Sequence, residues 1–260
     1  MQARPKKNLG QHFLHEMHTI DRLLHAIAPR SKDVMVEIGP GEGALSLPLL
    51  ESLGKLVAIE LDEELIPQLE ARAVGHGKLT VIHANALKME FTALSRHLGV
   101  SRIRLIGNLP YYLSSPLLFH CLGHSSAITD MHFMLQKEVV DRMAAPPGSK
   151  VYGRLSVMTQ LACRIEPLFE VPPKAFRPPP KVNSTVVRLL PFREEERFDA
   201  DPARLSAIVK AAFAQRRKTL GNALGQLLDS KAISAAHIDP RTRAETLTPG
   251  DFVQLAKRLP

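Results

Sequence analysis

Residues 107–111 read Gly-Asn-Leu-Pro-Tyr and directly follow a short apolar run. The Asn108 amide oxygen and the Leu109 carbonyl can each accept a hydrogen bond from the exocyclic amine of an adenine-type base, and the Tyr111 ring can stack on that base. Asn and Pro are also ordinary turn residues, so the same run is compatible with a strand followed by a plain turn. The combination favours a site that grips a planar ring carrying an amine.

A second candidate site follows an earlier apolar run, where the sequence over 37–43 is Glu-Ile-Gly-Pro-Gly-Glu-Gly. Gly39 and Gly41 allow a tight turn and a close approach of a ligand to the backbone. The glycine spacing also satisfies the loose fingerprint of dinucleotide-binding loops. The glycines alone therefore do not separate NAD from S-adenosylmethionine as the ligand.

Three further features favour S-adenosylmethionine. Glu37 places a carboxylate before the glycines, which suits a cationic sulfonium better than a pyrophosphate. Glu60 ends the next predicted strand with a carboxylate for both ribose hydroxyls, and Leu61 offers adenine an apolar neighbour. The run 108–111 ends a later predicted strand, where a methyl acceptor would lie, and no pattern typical of hydride transfer follows it. The sequence predicts a methyltransferase rather than a dehydrogenase.

The elements that must position these residues alternate short β-rich runs with longer amphipathic segments, the pattern of an α/β protein with a mainly parallel sheet. The predicted strands are 34–38, 55–60, 79–83, 103–106, 131–135 and 185–190. The predicted helices between them are 43–53, 63–74, 92–98, 116–122 and 138–144. Asp62 is suited to cap the second of these helices, because acidic residues follow it in the first turn.

A change in composition follows the predicted strands. The segments 171–173 and 177–181 are rich in proline and can form neither a helix nor a central strand. After a charged linker over 191–202, the chain shows only helical periodicity. These helical stretches are 205–213, 219–228, 232–237 and 252–259. We therefore predict an α/β domain over 1–192 and a small all-α domain over 193–260.

The composition is that of an ordinary globular protein, with 45% hydrophobic and 23% charged residues among 260. The net charge of +8 favours a polyanionic partner, most simply nucleic acid, although many soluble enzymes are mildly basic. No apolar stretch approaches the about 20 residues that span a bilayer, and the first residues are polar. We expect a cytosolic protein with no membrane segment and no leader.

Cysteine and histidine patterns argue against a metal site. Cys121 and Cys163 are far apart, which indicates neither a disulfide framework nor a cysteine-rich metal site. His12, His15 and His18 recur every three residues, but no cysteine or acidic partner completes a ligand set. We expect no bound metal.

Seven segments of the chain share the residue patterns of one protein family. They are 8–14, 36–41, 108–111, 134–139, 152–156, 176–182 and 215–219. The segment 108–111 resembles the catalytic motif of S-adenosylmethionine-dependent N6-adenine methyltransferases. Together, in unbroken order from about Pro5 to the C-terminus, the segments resemble the bacterial small-subunit (16S) rRNA adenine N6,N6-dimethyltransferases, the kasugamycin-resistance methylase group.

The resemblance implies a Rossmann-like, class I S-adenosylmethionine-dependent methyltransferase domain with a mixed sheet over 1–192, and a helical rRNA-docking domain over 193–260. It implies that four methyl groups are transferred, two to each of two adjacent adenosines. Those adenosines lie in a hairpin loop near the 3′ end of 16S rRNA, within the 30S subunit or its late assembly intermediate. Nothing in the sequence requires a dimer, and we expect a monomer.

The resemblance also implies roles for individual residues. The catalytic residues would be Asn108, Leu109, Pro110 and Tyr111. The cofactor-binding residues would be His12, Leu14, Gly39, Gly41, Glu60, Leu61, Asn85, Ala86 and Asn108. Within that set, His12 and Leu14 would close over the cofactor, and Asn108 would bridge the cofactor and the target base. Because the position of His12 varies within the family, we expect a backbone contact there more than a side-chain role.

One residue departs from the family pattern. The family usually has Asp where this chain has Asn85, which would meet the adenine amine of the cofactor. An amide oxygen can still accept that hydrogen bond, but the bond is uncharged and weaker. We therefore expect somewhat looser cofactor binding with the activity retained.

The contacts to RNA are predicted at two places. Phe176, in the proline-rich loop, would cover the second face of the target base, although a phenylalanine of the hydrophobic core is an equally good interpretation. The predicted phosphate contacts are Lys6, Lys7, Arg216, Arg217 and Lys218. The triplet 216–218 is also compatible with an ordinary solvated face.

Two other functions remain compatible with the sequence. A 23S rRNA resistance methyltransferase would share the motif at 108–111, but the patterns at 152–156 and 176–182 favour the small-subunit group. A non-catalytic RNA-binding assembly factor of the same fold is a second alternative. The intact motif at 108–111 argues against that alternative, while Asn85 leaves it open.

Overall fold

The computed structural model of the chain describes residues 5–6, 10–215 and 217–259. The described residues group into two compact units, and each unit consists of two segments of the chain. The first unit comprises residues up to Val140 together with Glu166–Pro191, and the second comprises Asp141–Ile165 together with the residues from Phe192 onward. The domain boundary at 192 and 193 stays a prediction, and the second unit includes an additional segment that precedes it.

Strands form the framework of the first unit. The strands are β1 (Phe13–Leu14), β2 (Met35–Ile38), β3 (Lys55–Glu60), β4 (Lys78–His83), β5 (Ile103–Asn108), β6 (Ile128–Gln136), β7 (Cys163–Val171), β8 (Phe176–Arg177) and β9 (Ser184–Pro191). Over the described residues, the main sheet has the spatial order β4-β3-β2-β5-β6-β9-β7, and β1 forms a separate antiparallel pair with β8. The strands β2 to β6 pair in parallel, whereas β9 is antiparallel to β6.

This mixed, mainly parallel sheet confirms the predicted α/β fold class. The carboxyl ends of parallel strands meet at one edge of a sheet, which is where such folds bind ligands. The segments that follow β2, β3, β4 and β5 therefore lie at one edge. Glu60 and Asn108 are the last residues of β3 and β5, and the glycine loop and Asn85 follow β2 and β4.

Helices cover the sheet. They are α1 (Met17–Ile27), α2 (Ser46–Leu53), α3 (Ile66–Ala73), α4 (Phe91–His97), α5 (Ser114–Gly123) and α6 (Lys137–Met143). A shared apolar cluster joins α1 and α2 to the strands, and its members include the fully buried Leu49, Ile106 and Val186. Removing such side chains from water is the main favourable contribution to folding, about 1.5–3 kcal/mol for each large apolar residue.

The second unit is helical in the part of the chain that the structure describes. Its helices are α7 (Arg154–Gln160), α8 (Pro202–Ala214), α9 (Leu220–Ala223), α10 (Ser230–Ala235) and α11 (Pro249–Ala256). They enclose a separate apolar cluster that includes Tyr152, Ile208 and Phe252, each fully buried. The Tyr152 hydroxyl donates to the Leu247 carbonyl at 2.8 Å, so its polar end is satisfied inside that core.

Several predicted elements differ from those observed. The strand β7 was not predicted, because Pro167 interrupts its apolar pattern, but β7 lies at the end of the sheet, where proline is tolerated. The helix α1 was also not predicted, although its apolar residues have helical spacing. The prediction for 219–228 is longer than α9, and Gly221 and Gly225 weaken helical structure there. No helix in the described residues is long and apolar enough to cross a membrane.

Candidate active site

A cleft of about 1090 Å³, its open mouth included, lies at the carboxyl edge of the parallel strands. Every residue predicted to bind the cofactor or to act in catalysis lines it. These residues are His12, Leu14, Gly39, Gly41, Glu60, Leu61, Asn85, Ala86, Asn108, Leu109, Pro110 and Tyr111. The structure therefore brings these residues to one place, while the role of each residue stays a prediction.

The glycine loop after β2 forms one wall of the cleft. Gly39 and Gly41 both have positive φ, +67° and +56°, which residues with a side chain rarely adopt. A Cβ built at Gly39 meets no atom within 4 Å, so this backbone is open to a ligand. At Gly41 a Cβ would lie 3.0 Å from the Phe13 ring, which packs directly on the loop.

Two buried carboxylates face the cleft beside this loop. Glu37 is 2% exposed and accepts a hydrogen bond from Ser46 Oγ at 2.5 Å. Burial, with a smaller contribution from the charge of Glu60, raises the pKa of Glu37 to about 7. Burial likewise raises the pKa of Glu60. The hydrogen bonds that Glu60 accepts from the backbone N–H groups of Asp62 (2.8 Å) and Gly41 (3.2 Å) lower this pKa, but by less than burial raises it. No ion pair joins either carboxylate to a cation among the described residues, so both favour a cationic or hydrogen-bond-donating ligand.

Asn85 caps the turn that follows β4. Its Oδ1 accepts from the Leu87 backbone N–H at 3.0 Å, at the start of a 3-10 turn over Ala86–Lys88. The cap therefore uses one lone pair of the amide oxygen. The second lone pair and the amide nitrogen are left for a ligand.

The predicted catalytic motif begins at Asn108, the last residue of β5, and a hydrogen bond sets the orientation of the Asn108 amide. Asn108 Nδ2 donates to the His12 carbonyl oxygen at 2.8 Å. Because a carbonyl oxygen only accepts, the amide nitrogen must face His12, and Oδ1 is left to accept from a ligand. Tyr111 begins a 3-10 turn over Tyr111–Leu113, and its hydroxyl lies 2.8 Å from Ser184 Oγ.

The N-terminal segment 10–14, here called the strap, lies beside the motif and the glycine loop. Its β1 strand pairs with β8, with Leu14 opposite Phe176. The His12 ring stacks on the Tyr111 ring, with 5.5 Å between centroids and 29° between planes. His12 Nδ1 lies 2.6 Å from the Pro178 carbonyl oxygen. His12 therefore contributes a backbone acceptor to Asn108 and a ring contact to Tyr111, while its predicted backbone contact to the cofactor stays a prediction.

Polar contacts from the strap and from Lys6, which precedes the strap in the chain, meet at Asp62, two residues after the end of β3. Gln11 Nε2 donates to Asp62 Oδ2 at 3.0 Å, and Lys6 Nζ donates to Asp62 Oδ1 at 2.7 Å. Burial raises the pKa of Asp62, but the hydrogen bonds from Lys6 and Gln11 outweigh burial and hold that pKa below its ordinary value. Asp62 also accepts from the Glu64 N–H and so caps the following turn, which confirms its predicted capping role.

The residues predicted to contact RNA are not gathered at the cleft. Phe176 is 2% exposed, belongs to the apolar core of the first unit and does not line the cleft. Its ring thus has the core position that the sequence also allowed. The predicted stacking on the target base stays a prediction, and it would require this ring to leave the core.

The predicted phosphate contacts have different surroundings. Lys6 forms ion pairs with Asp62 and Glu64 in this structure. Arg217 and Lys218 are exposed in the second unit. Lys7 and Arg216 lie outside the described residues, and all five stay predictions.

Two contacts near the site could not be predicted from the sequence. Gln11 bonds to Asp62 and Ser184 lies beside the Tyr111 hydroxyl, across 51 and 73 residues of chain. Contacts over such separations have no local pattern in the sequence. Asp62 itself has a signal, its position directly after Glu60 and Leu61, but that signal predicted only a cap.

Comparison with known proteins gives a consistent picture. A sequence model of the family described as "Ribosomal RNA adenine dimethylase" matches residues 2–260. A protein of Xanthomonas axonopodis pv. citri named "Ribosomal RNA small subunit methyltransferase A" is 53% identical over 254 residues, which cover 98% of this chain and 96% of that protein. A protein of the same name from Xylella fastidiosa is 54% identical over 254 residues, with 98% and 96% coverage. The crystal structure of a dimethyladenosine transferase from Plasmodium falciparum matches with a TM-score of 0.78 at 26% identity, covering 94% of this chain and 96% of that one.

Proposed function

Since the chain belongs to the ribosomal RNA adenine dimethylase family, we propose that it dimethylates the N6 amines of two adjacent adenosines in 16S rRNA of the small ribosomal subunit. It is an S-adenosylmethionine-dependent enzyme. The two adenosines would lie in a hairpin loop near the 3′ end of the RNA and receive four methyl groups in all. The substrate would be the 30S subunit or its late assembly intermediate, and we infer a cytoplasmic location and a role in subunit biogenesis.

The orientation of the Asn108 amide carries this proposal. With Nδ2 held by the His12 carbonyl, Oδ1 can only act as an acceptor toward a ligand, which is what an adenine amine requires. Leu109 and Tyr111 line the same cleft directly beside it. A neutral amide held in this way would select an N–H donor over a bare carbonyl at the same place.

The cleft also suits the methyl donor. When bound, S-adenosylmethionine supplies an electrophilic methyl group on a cationic sulfonium. Gly39 leaves backbone open to the ligand, and the buried Glu37 and Glu60 give the cleft negative character. Glu60 is suited to accept from ribose hydroxyls, and Leu61 and Ala86 offer apolar contact to the adenine ring.

The protein's contribution to the chemistry is mainly positioning and electrostatics. An adenine amine is a poor nucleophile, because its lone pair is delocalised into the ring. Acceptance of its N–H groups by Asn108 Oδ1 and the Leu109 carbonyl would favour a pyramidal nitrogen whose lone pair is free to attack. Such positioning can lower a barrier by several kcal/mol. After the first transfer only one N–H remains, so the second transfer can use only one of the two acceptors.

No strong general base is needed in this scheme. The nitrogen that gains a methyl group becomes positively charged, and it loses its proton readily to water. The Tyr111 ring would hold the base by stacking, as expected for RNA bases that are turned out of their stack.

The second unit has the charge expected of an RNA-docking element. By sequence it holds 16 Lys or Arg against 10 Asp or Glu, so it carries most of the net charge of +8. Arg217 and Lys218 are exposed there. Phosphate contacts of this kind supply affinity that depends strongly on salt.

The test is transfer of tritium from labelled S-adenosylmethionine to 30S subunits that lack the methyl groups. Mature 50S subunits serve as the substrate control, and the Asn108→Ala variant serves as the enzyme control. We expect label in 16S rRNA with the wild type and a loss of at least about a hundredfold with the variant.

Other outcomes would contradict the proposal. Tight binding to 30S subunits without transfer would favour the non-catalytic assembly factor. Label in 50S subunits would instead favour a 23S rRNA methyltransferase.

A further inference from the structure

The Tyr111 side chain is held at two places, by the Ser184 hydroxyl and by the His12 ring. Its hydroxyl lies 2.8 Å from the hydroxyl of Ser184, the first residue of β9. Ser184 is fully buried, and β9 is paired with β6 at this point, with Gln136 opposite Ser184. A strand that lies between β6 and β7 in the main sheet therefore fixes the polar end of the ring.

One face of the Tyr111 ring is also covered. The His12 ring stacks on it with 5.5 Å between centroids and 29° between planes, a favourable arrangement for two aromatic rings. A base that stacks on Tyr111 must therefore use the opposite face. Tyr111 is half-buried and lines the cleft, where the base would enter.

His12 is in turn held by the loop that follows β8. Its Nδ1 lies 2.6 Å from the Pro178 carbonyl oxygen, and since a carbonyl only accepts, Nδ1 carries the proton. The His12 carbonyl accepts from Asn108 Nδ2 at 2.8 Å. One residue of the strap thus contacts both groups that would hold the target amine and its ring.

We propose that Ser184 and His12 are positioning residues that fix the Tyr111 ring and present one of its faces to the target adenine. This inference rests on the proposed function. The ring of a free tyrosine turns about two bonds, whereas a productive site needs orientations held within about 10–20°. The Ser184 hydroxyl restricts the ring at its tip, and the His12 ring restricts it at one face.

The neighbouring residue supplies a matched control. Thr185 also has a buried hydroxyl on β9, but that hydroxyl has no hydrogen-bond partner among the described residues. Thr185→Val removes it with almost no change of shape, whereas Ser184→Ala removes the hydroxyl that contacts Tyr111. A loss that arose merely from altering a buried hydroxyl of β9 would appear in both variants.

The first measurement needs no substrate. The chain has three tyrosines and no tryptophan, so 3-fluorotyrosine labelling gives a ¹⁹F spectrum of three ring environments. The Tyr111 signal is assigned by its absence in Tyr111→Phe. We expect this signal to shift or broaden in Ser184→Ala and in His12→Ala, and to remain unchanged in Thr185→Val.

The second measurement is methyl transfer to 30S subunits by Ser184→Ala, Tyr111→Phe and the double variant. Loss of one neutral hydrogen bond should lower kcat about two- to tenfold in each single variant, with KM for S-adenosylmethionine unchanged. The double variant should be no slower than either single variant, because both substitutions break the same bond. Tyr111→Phe keeps this test valid even if Ser184→Ala folds poorly.

Three results would overturn the inference. They are an unchanged ¹⁹F signal in Ser184→Ala, a kcat in that variant equal to the wild type, and multiplied losses in the double variant. Failure of the proposed function is a separate outcome: the wild type would transfer no methyl group, while the ¹⁹F comparison would still report on the ring.

Discussion

Asn85 shows how a single atom can alter a ligand site without altering the fold. Its one amide oxygen already accepts from the Leu87 N–H, so the predicted bond from the adenine amine of the cofactor would share that uncharged oxygen with the cap. An Asp at this position would offer one oxygen to the cap and a second, charged oxygen to the amine.

We therefore expect Asn85→Asp to tighten S-adenosylmethionine binding by about three- to tenfold, measured by calorimetry. Asn222→Asp, at an exposed position of the second unit, adds the same charge and should leave the affinity unchanged. Weaker binding by Asn85→Asp would contradict the assignment of this residue to the cofactor amine.

Glu37 gives the site a dependence on pH. Burial, followed by the charge of Glu60, raises its pKa to about 7, so in the free protein this carboxyl is largely protonated at pH 6 and ionised at pH 8. A cationic ligand favours the ionised form. Affinity for S-adenosylmethionine should therefore rise about tenfold from pH 6 to pH 8 and level off above that.

The control for this pH dependence is Glu37→Gln. It keeps a group that can bond with Ser46 but cannot ionise, and it should bind weakly at every pH. The difference between the two titrations isolates Glu37 from the ionisation of the ligand itself. If the affinity of both proteins for S-adenosylmethionine changed with pH in the same way, Glu37 would not face the cation.

At the scale of elements, β5 must lie very close to β2 to place Asn108. A Cβ built on Gly107 would lie 2.5 Å from the Ile38 carbonyl oxygen, which belongs to the backbone and cannot move aside cheaply. We expect Gly107→Ala to lower the free energy of unfolding by about 2–4 kcal/mol in urea titrations. Gly123→Ala is the control, since nothing lies within 4 Å of its Cβ position at the end of α5, and it should be neutral within about 0.5 kcal/mol. Equal changes in the free energy of unfolding for the two substitutions would show that β2 can shift away from the added methyl group at little cost.

The strap and Lys6, which are both held by Asp62, should together control how fast the cofactor leaves. Asp62 binds both Lys6 and Gln11, and Asp62→Asn keeps an oxygen for the cap while removing the charge that holds Lys6. We expect this variant to release S-adenosylmethionine several-fold faster in stopped-flow displacement. Glu64→Gln removes the second, 77% exposed partner of Lys6 and should have little effect, because exposed pairs contribute little. An unchanged release rate in Asp62→Asn would show that these contacts of Asp62 do not limit release of the cofactor.

The elements that the sequence predicted well are those with a strong local pattern. The strand β3 agrees with its prediction at both ends, because a continuous apolar run ends there in Glu60. The strand β7 was missed because its tolerance of Pro167 depends on its place at the end of the sheet, which is a property of the whole fold. The same distinction holds for the cleft: the glycine loop and the run 108–111 have local patterns in the sequence, whereas Ser184 reaches Tyr111 across 73 residues and has none.

At the scale of the molecule, charge is distributed unevenly between the two units. The second unit has six more basic than acidic residues by sequence, although it holds the smaller part of the chain. Each phosphate contact contributes roughly 0.7–0.9 to the slope of log affinity against log salt. Replacing Arg217 and Lys218 by alanine should therefore reduce the slope of log affinity against log salt for 30S binding by about one to two.

The control replaces two other exposed basic residues of the same unit, Lys231 and Arg241, and changes the net charge equally. Arg241 forms an ion pair with Asp239 and is a poorer candidate for a phosphate contact. A salt slope that falls equally in both double variants would reflect net charge alone. An unchanged slope in the first variant would move the RNA contact elsewhere.

The product tests the central claim most directly. After exhaustive reaction of wild-type protein with S-adenosylmethionine and 30S subunits that lack the methyl groups, the 16S rRNA is digested and its nucleosides are quantified by mass spectrometry. The proposed function predicts two N6,N6-dimethyladenosines for each 16S rRNA, four methyl groups in all, and no change in other nucleosides. Monomethyladenosine as the final product, methyl groups on another base or no methyl groups at all would contradict it.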